Sequence, residues 1–480
     1  MALPQLQRLL AGYLPINLLQ AVVTLGAVMV FSRLLTPAEY GHYALAVTLM
    51  LWLQTLMFYW LQTGIGRFHD TARDAGHLPR MLTTVYAAAV PIILLTAGFG
   101  WLIAEFSDYR GLILAGLAAL LTRALFAIGL DLHRAAHRVR RFAWLEGLQY
   151  VFSLLLGIAF AVGFDWGAIA PLLGLALGNL IVLLADLPYL ARQADGWVGS
   201  WEDARLLAGY GLPLTLSYLF SLVVAGSDRF FIAWLMDESA VGVYAVAYAL
   251  SDRTLTILFN WVGMATVPLA FSALASGGED AARRVMGDAV RNLILLALPA
   301  AVGLAAAAPQ LAAVLVGPDF RATTKHIVPW IALAGVLNGA MVHYAAHAFL
   351  IVRRTRALLL TTVLAAAVNV ALNLSLIPIW GLDGAIAATI AAYAVGLAAR
   401  LLLMRKRFPI PLALPDLLKG LSACGLMWLA LAAIPWPPTW FGLLGVVVLG
   451  IAVYAAAALL LNVSGARRWL PVRKFGRGAG

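Results

Sequence analysis

The sequence predicts an all-α polytopic membrane protein of about fourteen transmembrane helices. The helices form two six-helix lobes, related as parallel repeats around a central cavity, and two extra C-terminal helices. Of the 480 residues, 63% are hydrophobic and 11% are charged, and the mean hydropathy is +0.91. That is more apolar surface than a water-soluble core can bury. Apolar runs of about 20 residues recur along the whole chain, and motifs of the first half return in the second.

The predicted spans follow one another with short polar connections. They cover residues 12–34, 41–65, 82–104, 111–131, 144–163, 166–190, 209–235, 241–270, 290–316, 326–351, 357–378, 383–404, 416–434 and 440–462. The first apolar run is longer than the core of a signal peptide, and no small-residue cleavage site follows it before Thr36. We therefore expect a retained first helix. No connection is long enough to hold a soluble catalytic domain.

The basic residues gather at the helix ends that share the side of the N-terminus, as in the stretches 138–141, 353–356 and 400–407. The opposite side keeps only Arg33, Arg110, Arg321 and Lys325. By the positive-inside rule, both termini are predicted to be cytoplasmic. The net charge of +11 is spread over these clusters rather than over one basic patch, so nucleic acid is not an expected partner.

An internal repeat divides the chain. Its matches, in order, are Gly41 and Tyr43 with Gly242 and Tyr244, His133 and His137 with His343 and His347, and 167–170 with 384–387. Six spans per repeat is an even number, so both repeats have the same orientation in the membrane. The predicted domains are an N-lobe at 1–200, a C-lobe at 201–408, and two additional spans with a basic cytoplasmic tail at 409–480.

Ionisable side chains inside the spans are the best candidates for function, because they are costly there and usually face a cavity or another helix. They are Arg123, Glu146, Asp186, Asp228, Arg229, Asp252 and Arg253. Two pairs at similar depth on neighbouring antiparallel helices are predicted, Asp228 with Arg253 or Asp252 with Arg229.

These pairs have two interpretations. Either they fasten the two helices together, or at least one arginine is free to bind an anion. Arg123 has no acidic neighbour on its own helix face and is a second candidate cation. The guanidinium group suits phosphate oxygens.

Several uncharged or aromatic residues have the same ambiguity. Asn17, with Asn369 and Asn373, either holds a neutral glycan or bonds helix to helix. Tyr59 and nearby tryptophans either stack on sugar rings or belong to the interfacial aromatic belt.

No metal or other cofactor is expected. His343 and His347 have the spacing of a helical metal pair, as do His133 and His137, but neither pair has a third ligand. The single Cys424 excludes an internal disulfide and a cysteine-based metal cluster.

Three motifs carry a family resemblance: RLLTPAEYGHYA at 33–44, DRFFI at 228–232 with GVYAVAY at 242–248, and GLDGAIAAT at 381–389. Together they resemble the polysaccharide biosynthesis (O-antigen type) flippases of the multidrug/oligosaccharidyl-lipid/polysaccharide (MOP) exporter superfamily, over about residues 10–405. The resemblance implies a transporter, not an enzyme. Its expected cargo is undecaprenyl-diphosphate-linked oligosaccharide for O-antigen, other lipopolysaccharide, capsule or exopolysaccharide synthesis, moved to the outer face by alternating access. Expected partners are membrane lipids and polysaccharide polymerase or ligase machinery, and only Asp228 and Arg229 carry over as functional positions.

Three alternatives are weaker. A multidrug/cation antiporter of the same superfamily is expected to carry an acidic residue in the first span, where this chain has Asn17 and Gln20. A major-facilitator transporter also has two six-helix halves, but its charged signature is absent from 67–80. A membrane glycosyltransferase or polysaccharide polymerase needs a large external loop with charged residues, and none is predicted.

Overall fold

A computed structural model of the chain describes residues 3–193 and 199–469, except for the side chains of 3–15, 17, 18, 253, 265 and 469. Every regular element in these ranges is helical. The helices are α1 (Leu3–Leu34), α2 (Pro37–Asp74), α3 (Leu78–Glu105), α4 (Arg110–Ala135), α5 (Val139–Phe164), α6 (Ile169–Ala191), α7 (Trp201–Leu235), α8 (Glu238–Leu315), α9 (Arg321–Gly339), α10 (Ala346–Ile351), α11 (Thr355–Trp380), α12 (Leu382–Met404), α13 (Leu414–Ala432) and α14 (Trp440–Leu460). A π-helical turn, Ala340–Ala345, joins α9 to α10, and 3₁₀ segments occupy Pro318–Phe320 and Val463–Trp469.

The helices confirm the predicted fold class. Within the described residues, twelve helical stretches are long and apolar enough to cross a membrane, and α1 adds a shorter apolar stretch, Leu19–Leu34. One of the twelve, α8, has 78 residues and contains two of the predicted spans. The protein is therefore an all-α polytopic membrane protein.

The connection between the two spans of α8 is shorter than the sequence suggested. Only Gly277 and Gly278 leave the helical conformation, and Gly278 has a φ of +70°, which glycine adopts without strain. The polar stretch after them is helical and is supported by ion pairs three residues apart, Asp280 with Arg283 and Asp288 with Arg291, at 3.1 Å each. Hydropathy alone treats such a polar helix as a loop.

The chain forms two compact units. Unit 1 comprises the chain up to Ala249 together with Leu315–Thr323 and Thr362–Ala392, and unit 2 comprises Leu250–Val314, Thr324–Thr361 and the chain from Tyr393. These units do not follow the sequence repeat, so the predicted lobes at 1–200 and 201–408 and the appendage at 409–480 remain a prediction.

Each unit has its own apolar core. In unit 1, α2, α3, α4 and α6 enclose Phe58, Leu61, Val85, Ile128 and Val182, all of them almost completely buried. In unit 2, one cluster is built around Phe259, Phe349 and Phe408. A second cluster joins α13 and α14 to α8 and contains Cys424, Met427 and Tyr454.

The repeat is visible in how corresponding helices begin. Both α2 and α8 start after a capping side chain: Thr36 accepts a hydrogen bond from the Glu39 amide at 3.3 Å, and Asp237 accepts one from the Ala240 amide at 2.7 Å. Gly41 and Gly242 then occupy the fifth position of their helices. The first sequence motif therefore serves to start a helix and place a glycine.

A second correspondence corrects the histidine match. The turns after α4 and after α10 each contain one left-handed residue, His137 with φ of 55° and Arg353 with φ of 56°. Each turn is closed by the same pair of backbone hydrogen bonds, in which the amides of His137 and Arg353 and those of the residues after them return to the preceding helix. By the geometry of these turns, His137 corresponds to Arg353, six residues after the His347 that the sequence matched to it.

The predicted sidedness can be tested by labelling introduced cysteines in a Cys424→Ala background. We expect an impermeant maleimide to label Phe164→Cys and Trp380→Cys in intact cells, because these exposed residues lie at predicted outer ends. The exposed positions Arg140→Cys and Arg354→Cys should react only after permeabilisation. The reverse pattern would contradict the predicted topology.

Candidate functional site

Two glycines of the repeated motif meet in unit 1, where α2 and α8 begin. A Cβ atom added at Gly41 would lie 1.9 Å from the Glu238 carbonyl oxygen, and one added at Gly242 would lie 1.9 Å from the Pro37 carbonyl oxygen. The two helices therefore touch backbone to backbone, which only glycine allows.

A second backbone contact lies beside this crossing. The Gly317 amide donates to the Ser32 hydroxyl at 3.0 Å, and a Cβ atom at Gly317 would lie 1.9 Å from the Ser32 carbonyl oxygen. The Tyr40 and Phe320 rings pack edge to face, with centroids 5.7 Å apart. We call this region, built from Ser32, Gly41, Gly242 and 317–320, the capped end of unit 1.

Asp228 is buried next to the capped end, with only 1% of its surface exposed. Its carboxylate accepts a hydrogen bond from the Tyr244 hydroxyl at 2.5 Å and one from the Arg229 backbone amide at 2.8 Å. Tyr244 itself is completely buried. The partner of this aspartate in unit 1 is therefore a tyrosine on α8, nine residues before the arginine that the sequence predicted as its partner.

Arg229 is half-buried on α7 and contacts α2 and α8. One terminal nitrogen of its guanidinium donates to the Thr48 hydroxyl at 2.7 Å, and the group lies over the Tyr248 ring, 5.5 Å from its centroid. The Arg229 Nε finds no hydrogen-bond partner in the part of the chain that the structure describes. Thr48 and Tyr248 are uncharged. The neighbouring Asp228 carboxylate lies within electrostatic range of the guanidinium group, but it accepts its hydrogen bonds from Tyr244 and from the Arg229 backbone amide.

The predicted pairs of Asp228 with Arg253 and Asp252 with Arg229 stay predictions. The side chains of Arg253 and Asn17 lie outside the described residues. Asp252 belongs to unit 2, where its carboxylate accepts a weak hydrogen bond from Thr256 at 3.5 Å.

Asn369 bonds α11 to α7, and Asn373 donates to it from the same helix. Both are completely buried, and the Asn369 side-chain oxygen accepts from the Ser227 hydroxyl at 2.9 Å and from the Asn373 amide at 3.0 Å. A glycan has no access to these groups. The second of their two interpretations is therefore the correct one.

Arg123 lies in unit 1 with two acidic residues nearby. It packs against the Phe126 ring at 5.7 Å, and both Glu146 on α5 and Asp131 on its own helix lie within its electrostatic range. No ion pair joins Arg123 to either acid among the described residues. Glu146 accepts a long hydrogen bond from Tyr150, at 3.5 Å. The expectation that Arg123 has no acidic neighbour on its own helix face was wrong, because Asp131 follows it by eight residues, about two turns, on α4.

Asp186 has a structural environment. It is buried and accepts hydrogen bonds from His133 Nε2 at 2.8 Å and from Arg141 Nε at 2.9 Å, so it ties α4, α5 and α6 together. The Arg141 guanidinium also lies over the Tyr189 ring at 4.3 Å. The sequence assigned these two partners of Asp186 elsewhere. His133 belonged to a possible metal pair, and Arg141 to the basic helix ends.

Unit 2 contains a buried arginine that the charge pattern placed at a helix end. Arg400 is 2% exposed and donates to the Thr361 hydroxyl at 3.2 Å and to the Met341 carbonyl oxygen. Met341 belongs to the π-helical turn, where His343 also lies, beside the Phe259 ring. Within the described residues no group of three metal-ligating side chains occurs.

The chain is similar to known proteins of one family. A family model described as polysaccharide biosynthesis protein matches residues 30–325. A probable flippase, AglR of Haloferax volcanii, is 24% identical over 333 residues, which are 65% of this chain and 65% of the relative. A probable lipid II flippase, MurJ of Thermotoga maritima, is 23% identical over 293 residues, which are 59% of this chain and 58% of the relative.

The chain thus matches somewhat less than two thirds of the length of these curated relatives. A solved structure of the lipid II flippase MurJ in an inward closed conformation superposes with a TM-score of 0.78 at 14% identity, covering 94% of this chain and 98% of that one. At that identity the likeness establishes the fold alone. Since the family model spans well over half of the sequence, the chain belongs to the polysaccharide biosynthesis protein family of the MOP exporter superfamily.

Proposed function

We propose that this protein is a flippase that moves a lipid-linked oligosaccharide across the membrane, with Arg229 as a counter-charge for the diphosphate. The observation that carries the proposal is the half-buried guanidinium of Arg229 in a membrane-spanning helix, whose Nε has no hydrogen-bond partner within the described residues. Such a cation is costly in a membrane interior unless an anion occupies the site during function. The fold likeness to a lipid II flippase and the flippase relatives support the same class of transport.

The cargo we propose is an undecaprenyl-diphosphate-linked oligosaccharide of O-antigen, capsule or exopolysaccharide synthesis in the inner membrane, delivered to polymerase or ligase machinery on the outer face. Two charged phosphates must cross the apolar interior, and removing them from water without a counter-charge is prohibitive. Outward movement of each negative charge is favoured by about 2.3 kcal/mol per 100 mV of inside-negative potential. The protein therefore needs to lower the barrier, not to bind its cargo tightly.

Alternating access is the proposed mechanism, and the capped end supports it. There, helices of the first repeat, α1 and α2, meet α8 and the 317–320 turn of the second repeat through backbone contacts at glycines. The contacts at Gly41, Gly242 and Gly317 bury little apolar surface, so separating them costs less than opening a packed core. Tyr40 and Phe320 are the apolar pair that opening would also separate. The capped end is the proposed outer gate.

Substitution of Arg229 tests the proposal in a strain that lacks the endogenous gene. We expect Arg229→Ala to reduce glycan export at least about tenfold, since a charge-assisted hydrogen bond to a buried group contributes about 1.5–3 kcal/mol. Arg229→Lys should retain part of the export, because it keeps the charge but loses the guanidinium fork. Arg123→Ala should show a smaller loss.

The matched control is Arg110→Ala, which removes an exposed arginine paired with Glu105 at 3.1 Å. It should export like the wild type. Wild-type export by Arg229→Ala, or loss explained by failure of that variant to accumulate in the membrane, contradicts the assigned role. Unchanged lipid-linked glycan in the deletion strain, together with altered drug sensitivity, would instead indicate the antiporter.

A further inference from the structure

An aromatic row lies along the contact of α2 and α7, farther from the capped end than Arg229. The Tyr59 and Tyr218 rings stack, with centroids 4.9 Å apart and planes at 27°. Farther along, Tyr210 packs edge to face on Phe68, with centroids 5.6 Å apart. Tyr218 and Tyr210 keep 41% and 39% of their surface exposed, so their rings are accessible to a ligand.

Charged groups border this row. Asp131 and Arg134, which form an ion pair at 3.0 Å, both lie within electrostatic range of the Tyr59 hydroxyl. Asp131 also lies within electrostatic range of Arg123 and Glu146, which no ion pair joins within the described residues. We call the set of Tyr59, Asp131, Glu146 and Tyr218 the aromatic–acid wall. It combines accessible ring faces with carboxylate acceptors.

The wall is in register with Arg229. Tyr218 precedes Arg229 by eleven residues, or about three helical turns, so both lie on one face of α7 about 16 Å apart. On α2, Tyr59 follows Thr48 by the same eleven residues. The Thr48–Arg229 and Tyr59–Tyr218 contacts are therefore two levels of the same helix pair, separated by the length of a diphosphate and a short oligosaccharide.

The chemistry of the wall selects a sugar. A pyranose ring presents C–H groups that pack on an aromatic face and hydroxyl groups that donate to carboxylates. A hydrocarbon chain forms no hydrogen bonds with Asp131 or Glu146, and these carboxylates would repel a polyphosphate. We propose that the aromatic–acid wall binds the sugar residues of the lipid-linked cargo while Arg229 holds its diphosphate; this rests on the flippase function proposed above.

Two probes separate the sugar site from the diphosphate site. They are undecaprenyl diphosphate and the lipid-linked glycan pool extracted from the deletion strain, each bound to purified protein in nanodiscs and measured by native mass spectrometry. Wild-type protein should prefer the glycan-bearing lipid. Tyr218→Ala and Asp131→Asn should each reduce that preference about 3- to 10-fold and leave binding of undecaprenyl diphosphate unchanged. Tyr218→Phe, which keeps the ring, should behave like the wild type.

The control is Trp166→Ala, which disrupts another exposed aromatic stack of unit 1, with Phe164 at 4.7 Å, outside the aromatic–acid wall. It should leave both affinities unchanged. If wild-type protein binds the two probes with equal affinity, the sugar site is overturned. The flippase proposal still stands in that case if Arg229→Ala weakens binding of both probes. Failure of both probes to bind wild-type protein overturns the two proposals together.

Discussion

Replacing Asp186 with alanine is expected to lower the free energy of unfolding by about 3 kcal/mol, which is near the low end of the range for breaking a buried ion pair. The substitution leaves His133, which is completely buried, without the acceptor of its Nε2. It also leaves Arg141 without a counter-charge. The loss stays near the low end because the Arg141 side chain is 40% exposed and water replaces part of the interaction.

Heating detergent-purified protein and following the folded fraction by size-exclusion chromatography measures this effect. Asp74→Ala is the matched control, since its carboxylate is 71% exposed and pairs with Arg73 at the surface of the same unit. It should melt like the wild type. If Asp186→Ala also melts like the wild type, the junction of α4, α5 and α6 does not depend on this carboxylate.

Adding one methyl group to the glycine crossing should have the second largest effect. A Cβ atom at position 41 or 242 would sit 1.9 Å from a backbone carbonyl oxygen, which cannot move aside as a flexible side chain does. We expect Gly41→Ala and Gly242→Ala each to cost about 1–3 kcal/mol and to impair glycan export, because the capped end no longer closes.

Gly66→Ala is the control, since this glycine lies in α2 and a Cβ atom there has no neighbour within 4 Å. Replacing a helix-interior glycine in open space with alanine stabilises the folded protein by about 0.5–1 kcal/mol. The two kinds of variant on one helix should therefore shift the melting temperature in opposite directions. Equal shifts, or normal export by Gly41→Ala, would show that the crossing tolerates separation.

Most of the helices could be predicted from the sequence because the length of an apolar run is itself the signal. The prediction of helices from hydropathy failed where a polar stretch is helical. The stretch after Gly278 is polar and yet helical, since it leaves the apolar region and gains ion pairs such as Asp280 with Arg283. Hydropathy does not reflect the stabilisation that such ion pairs give to a helix.

The residues of the candidate site were predictable from the sequence, but the partner of Asp228 was not. Charge complementarity alone points to Arg253. The structure instead gives the Asp228 carboxylate a hydrogen bond from Tyr244, nine residues earlier on α8. A buried carboxylate needs hydrogen-bond donors, and a tyrosine hydroxyl supplies one without adding a second charge.

The meeting of Gly41 with Gly242 has a consequence for the origin of the chain. Equivalent positions of two sequence repeats touch each other, so each copy of the motif is the other's binding partner. In a homodimer with twofold symmetry, a surface patch contacts its own counterpart in this way. The crossing is therefore the arrangement expected if a half-length ancestor once paired with itself in the membrane and gene fusion later joined the two subunits. Because a side chain at either position would meet the backbone of the opposite helix, both copies of the motif should keep their glycine.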